Sequence, residues 1–344
     1  MSRNPTAVNG RWWMLATALS AAVVAGVAAG IAVSGRAVPQ LPQPGTAVGI
    51  GLPLVHVALD VAAVAAVGLA VLGLLLRGER DRDAQPVRRA ATRAGVVVGA
   101  VWTICVVLLL WLQAAELSSQ GLGLTTGTVV DYVSAVSAGR TLLIIGSCAV
   151  LYALLNVVAI GQFRRGSRAP AVELALIAAL LGLFALPITG HSATAPYREL
   201  AELSIGLHVA GAAVWVGGLA CVCTLVAPRR AVLARTLPRF SRLAGLCLGV
   251  VAVSGVTNAA IELARVPGAS LPSVLVSTGY AWLVLGKAAC LIMLAGIGRR
   301  MRLRLLPAIS AHRAAPLAWW IGMELTVMAV ALGLAAALGW APIS

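Results

Sequence analysis

The sequence predicts an all-α protein: a polytopic bundle of about nine transmembrane helices, N-terminus inside and C-terminus outside. Three observations predict it. Of 344 residues, 60% are hydrophobic and only 11% charged, with a mean hydropathy of +0.96; a water-soluble domain carries roughly 25% charged residues. The apolar residues gather into runs of the length a bilayer demands, about 20 residues. The basic residues, nearly all arginine, fall between those runs on alternate sides. So little polar surface cannot wrap a soluble core of this size, which excludes a soluble enzyme, a secreted disulfide scaffold and a disordered binding protein.

The runs are approximately 12–33, 52–76, 95–115, 141–161, 172–190, 203–227, 240–263, 279–298 and 316–340. The first exceeds the 7–15 apolar residues of a signal peptide and is expected to be a retained span. Arginines cluster at 77–93, 164–168, 229–242 and 299–313, with Arg3 and Arg11 ahead of the first run. The intervening loops hold one arginine each: Arg36, Arg140, Arg198 and Arg265. This asymmetry gives the orientation by the positive-inside rule. It also accounts for the formal charge of +15 without a nucleic-acid partner. The stretches 34–51 and 116–140, rich in Gly, Pro, Ser and Thr, read as loops, and the chain as one integral membrane domain over 1–344.

Ionisable groups inside spans are expensive, so each is a functional candidate. His56 lies near the outer end of the second run, with Asp60 one turn deeper on the same face. His191 follows the fifth run at the outer surface, and His208 lies about 7–8 Å inside the sixth. Three of the four histidines therefore share one level, the outer third of the membrane, where imidazoles from separate spans could hold a metal. Asp60 either orients His56 or pairs with Lys287; Glu324 competes for the same lysine. His208, Gly211, Trp215 and Gly218 form one stripe of the sixth helix, with small residues that allow close helix approach. The six cysteines all fall within spans and read as small hydrophobes rather than ligands.

These residues also resemble a known family. The segment His208-x-x-Gly211-x-x-x-Trp215-x-Gly217-Gly218-Leu219 is similar to the signature span of the bacterial copper resistance protein D family. Thr189-Gly190-His191-Ser192-Ala193 precedes it. Phe240-Ser241-Arg242-Leu243-Ala244 and Ser254-Gly255-Val256-Thr257-Asn258-Ala259 follow, then Thr278-Gly279-Tyr280 running to Leu285-Gly286-Lys287. The resemblance covers residues 185–300 well and 1–180 more loosely. It implies copper transport and homeostasis in the bacterial cytoplasmic membrane, with copper uptake from the outer face as the leading function. His208, His191 and His56 are the expected metal ligands, and Asp60, Lys287 and Glu324 second-shell or structural charges. A periplasmic copper-binding protein of the copper resistance C type is the expected partner. No enzymatic activity is expected, and no nucleotide-binding loop of the form GxxxxGK[ST] occurs, which argues against ATP-driven export. Two alternatives remain open: a b-type electron-transfer protein holding haem through the same histidines, and a copper-delivery factor for oxidase assembly.

The topology is directly testable. A Ser344→Cys variant should react with a membrane-impermeant thiol reagent added to intact cells; protection from it would overturn the assignment.

Overall fold

The structure, a computed structural model, describes residues 46–77, 83–118, 123, 125–164, 171–185, 198–264, 279–305, 307 and 317–340. Among these every regular element is helical. The helices are α1 (Thr46–Leu75), α2 (Ala84–Ser118), α3 (Thr126–Ala135), α4 (Ser137–Arg164), α5 (Ala171–Ala185), α6 (Arg198–Cys221), α7 (Arg230–Ala264), α8 (Gly279–Arg300) and α9 (Leu317–Trp340). A π-helical turn, Val222–Val226, follows α6, and another, Met301–Leu305, follows α8. By length and composition, α1, α2, α4, α6 and α7 are long and apolar enough to cross a membrane. The run at 12–33 lies outside the described residues.

Two stretches expected to be loops contain helix. α1 begins at Thr46, inside the predicted 34–51 loop, and the 116–140 loop holds all of α3 and the start of α4. A hydropathy threshold misses α3 because it is short and only one side is apolar. Thr125 caps its N-terminus, its side chain accepting from the Thr128 N–H at 3.3 Å. Val129, Tyr132 and Val133, at helical spacing, then fold down onto the core. Val136 adopts an extended conformation and ends α3, its N–H donating to the Tyr132 carbonyl at 2.9 Å. α2 likewise starts at Ala84 rather than near 95. Its first turns bury Ala84, Val87 and Ala91 while Arg89 and Arg93 point outward.

The described residues divide into two compact units. In the unit spanning Leu41–Ser254, α1 packs against α2, α5 and α6, α2 also against α4, and α4 against α5. The α2–α4 pair is antiparallel: a Cβ at Gly146 would meet Val106, one at Gly99 Ala153, and one at Gly95 Asn156. Leu59, Val67, Trp102, Leu109, Ile145 and Tyr152 fill the core. The Tyr152 hydroxyl donates to the Ala66 carbonyl at 3.0 Å, since a buried phenol needs an acceptor. Outward faces carry Ile104, Val107, Leu154 and Val253, a surface that suits hydrocarbon rather than water.

α1 and α6 are parallel neighbours. The end of α1 lies beside the start of α5, where Arg77 pairs with Glu173 and Gly73 abuts Val172. The end of α5 lies beside the early turns of α6, with Phe184 over Gly206. α1 and α6 then cross with Gly68 and Gly217 in direct backbone contact. In the unit from Gly255 onward, α8 packs on α9, Gly286 receiving Leu334.

Any side chain at the α1–α6 crossing must force the backbones apart. Gly217→Val should lower stability by about 3 kcal/mol or more, read as an apparent melting temperature in detergent. Gly249→Ala, where a Cβ meets nothing within 4 Å, should leave it unchanged.

Candidate metal site

The His208 stripe faces α7. A Cβ at Gly211 would meet Val251 and Val250 of that helix, one at Gly218 would meet Phe240, and Trp215 is buried beside them. The neighbouring residue Gly217 lies on the other side of α6, against Gly68 of α1. Glycine thus serves two different contacts within one turn. Facing α7, His208 is half-buried, and its Nδ1 lies 3.0 Å from Ser254 Oγ. One turn earlier, Ser204 donates to the Ser254 backbone carbonyl at 3.1 Å. Two polar contacts from α6 therefore converge on one residue of α7, in surroundings where unsatisfied polar groups are costly.

His56 projects from α1 toward α2. The Gln113 side-chain amide approaches the His56 Nε2 at 3.4 Å, and its carbonyl oxygen accepts from the Tyr132 hydroxyl at 2.7 Å. Tyr132 comes from α3, so the chain Tyr132–Gln113–His56 links three helices at the end where α1 begins and α2 finishes. The Glu116 carboxylate, one turn after Gln113, is within electrostatic reach of both His56 and Tyr132. Burial, with Glu116 adding to it, pushes the Tyr132 phenol above its ordinary value, so at neutral pH it is a hydroxyl donor. Asp60 is exposed on α1 one turn below His56.

The parallel crossing fixes the levels of these groups. Counted from Gly68 and Gly217 at 1.5 Å per residue, His56 stands about 18 Å, His208 about 13 Å and Asp60 about 12 Å toward the helix N-termini. His56 and His208 thus occupy the same end of adjacent helices but turn toward different neighbours, α2 and α7. Among the described residues no three His, Cys, Asp or Glu side chains come close enough to hold a metal ion together. His191 lies outside the described residues.

The second unit separates two of the predicted charges. Gly286 abuts Leu334, ten residues beyond Glu324, which places Lys287 and Glu324 about 15 Å apart along α9. Glu324 is buried and Lys287 half-buried, and Glu324 does not compete for that lysine. None of the six cysteines is in a disulfide. Sequence reasoning missed Gln113, Tyr132 and Ser204; Ser254 stood inside a recognised segment without a role.

Fold and site together define a multi-pass helical membrane protein in which His56 and His208, on helices apolar enough to span, each meet a neutral hydrogen-bonding side chain from a neighbouring helix. Two family models match it: copper resistance protein D-like, N-terminal domain, over residues 46–196, and copper resistance protein D over residues 234–338. Together they span about three quarters of the chain, which belongs to the copper resistance protein D family. It is accordingly a copper-resistance and transport-type membrane protein. No curated protein and no solved structure matches it.

Removing the phenol should expose its role. Tyr132→Phe should cost about 1 kcal/mol at neutral pH by orphaning the Gln113 carbonyl. A phenol whose value is raised by folding stabilises fully below its unfolded value of about 10 and loses that contribution as pH climbs through the raised one. The difference between wild type and Tyr132→Phe should therefore shrink above that pH, measured by denaturation at stepped alkaline pH.

Proposed function

We propose that the protein takes up copper across a bacterial cytoplasmic membrane, the ion being received at the outer end of the bundle by His56, His208 and His191. The observation that carries this reading is that His56 and His208 lie toward the same end of parallel, adjacent helices in a chain of a copper-resistance family. The reading adopts about nine spans with the N-terminus inside, which makes the His56–Gln113–Tyr132 end the outer one. Copper is cargo rather than a resident cofactor, and neutral imidazole suits a transfer site because it binds the ion without trapping it in a fixed cage of charge.

The acidic groups at that end, Glu116 and Asp131, lie exposed and favour the approach of a cation. Asp60, a turn below His56, then stands as an outer-shell carboxylate. Lys287 and Glu324 serve as structural charges, since a lysine in the conduit would repel the metal. The membrane potential can drive inward movement, worth about 2.3 kcal/mol per charge per 100 mV. The partner this reading implies is a soluble copper-binding protein of the copper resistance C type on the outer side.

Total copper, zinc and iron in cells expressing the wild type or His208→Ala, at matched membrane abundance, test the reading. Copper alone should rise with the wild type and stay at the control level with the variant. Wild-type copper gain in His208→Ala cells would remove the central claim. A rise in iron with visible haem absorption would replace it with the electron-transfer function.

A further inference from the structure

We infer that Ser254 is a positioning residue that sets the tautomer of His208 and makes Nε2 its metal-binding nitrogen. The inference rests on the copper site proposed above and deepens it. A serine hydroxyl has one proton and two lone pairs. Here that proton is committed: Ser254 Oγ lies 2.6 Å from the Val250 carbonyl oxygen, with the Val251 carbonyl at 3.3 Å. Two oxygens at 2.6 Å with no proton between them would set lone pair against lone pair. The hydroxyl therefore donates along its own helix and presents a lone pair to His208.

The imidazole must complement it. Nδ1, at 3.0 Å from Ser254 Oγ, carries the proton and donates. In a neutral ring the other nitrogen, Nε2, then holds the lone pair, the electron pair a metal ion takes. Metal-binding histidines are generally held this way, the second nitrogen donating to a fixed acceptor that sets ring orientation and basicity. A neutral acceptor has a further consequence. A carboxylate there would stabilise imidazolium and tighten metal binding together; a hydroxyl fixes the tautomer without adding charge, which favours release as well as capture.

Ser204 supplies the control for a purely structural role. It also joins α6 to Ser254, through the backbone carbonyl, and it does not bear on the imidazole. If Ser254 merely clamps the helices, loss of either contact should have the same consequence.

The test compares Ser254→Thr with Ser254→Val in the purified full-length chain in detergent, titrated with copper(II). Threonine and valine have the same shape and differ in the hydroxyl alone. Ser254→Thr and Ser204→Ala should bind with wild-type affinity, while Ser254→Val should bind about 10–100-fold more weakly. Pulsed EPR of the bound copper should show the remote imidazole nitrogen altered in Ser254→Val and unchanged in Ser254→Thr and Ser204→Ala. Equal affinity and equal remote-nitrogen spectra for the valine and threonine variants would overturn the assignment of Ser254. His208→Ala separates that failure from a deeper one. If it loses copper while valine and threonine behave alike, the site stands and the positioning role falls; if it binds like wild type, the histidine site itself falls.

Discussion

The contact of Gly68 with Gly217 sets the geometry on which the candidate site depends. Two helices that carry a side chain at their crossing are held about 8–10 Å apart; glycine on both lets the backbones touch. In hydrocarbon there is no hydrophobic gain from bringing helices together, so close van der Waals packing is a principal source of their association. The crossing consequently does two things at once. It joins the first described helix to the sixth, and it locks their register. Because the helices run parallel, every residue counted back from the crossing has a counterpart at similar height, and His56, Asp60 and His208 come to one end together.

Each histidine is then restrained by a neutral group from a third helix: His56 by Gln113, itself held by Tyr132, and His208 by Ser254. The choice of neutral partners follows from the surroundings. An ion pair taken out of water must recover several kcal/mol of desolvation for each charge, whereas an amide or hydroxyl satisfies one ring nitrogen at lower cost. At His208 the hydroxyl also leaves a neutral imidazole with a lone pair at Nε2, the form that binds metals, whereas at His56 the Gln113 amide itself donates to Nε2. The same argument explains why α6 spends two polar contacts on a single residue of α7. Converging on Ser254, they register the helices and orient His208 with one set of groups.

Much of this was legible in the sequence, for reasons that can be named. Long apolar runs have few alternatives to a spanning helix, and the stripe of His208, Gly211, Trp215 and Gly218 follows from helical periodicity alone. What periodicity cannot supply is the partner, since a stripe has a direction only relative to its own axis. The contact of this stripe with α7 and of Gly217 with α1 required the fold. α3 escaped notice because its apolar side is a few residues wide, and with it Tyr132. The supposed competition of Glu324 for Lys287 came from counting depth from helix ends. The Gly286–Leu334 contact gives the true register and parts them.

The arginine-rich end is built by the same economy. Arg239 reaches from α7 to donate to the Leu75 carbonyl at 3.2 Å, at the C-terminus of α1, and Arg77 just beyond pairs with Glu173 in the first turn of α5. A helix C-terminus presents unsatisfied carbonyls and partial negative charge, while an N-terminus favours a carboxylate. These two arginines therefore close helix ends. Used so, their charge is spread into carbonyls and a carboxylate rather than projected as a uniform positive field. On the uptake reading proposed above that distinction matters: basic residues need not form a barrier to a cation arriving at this end when their charge is taken up by the helix termini beside them.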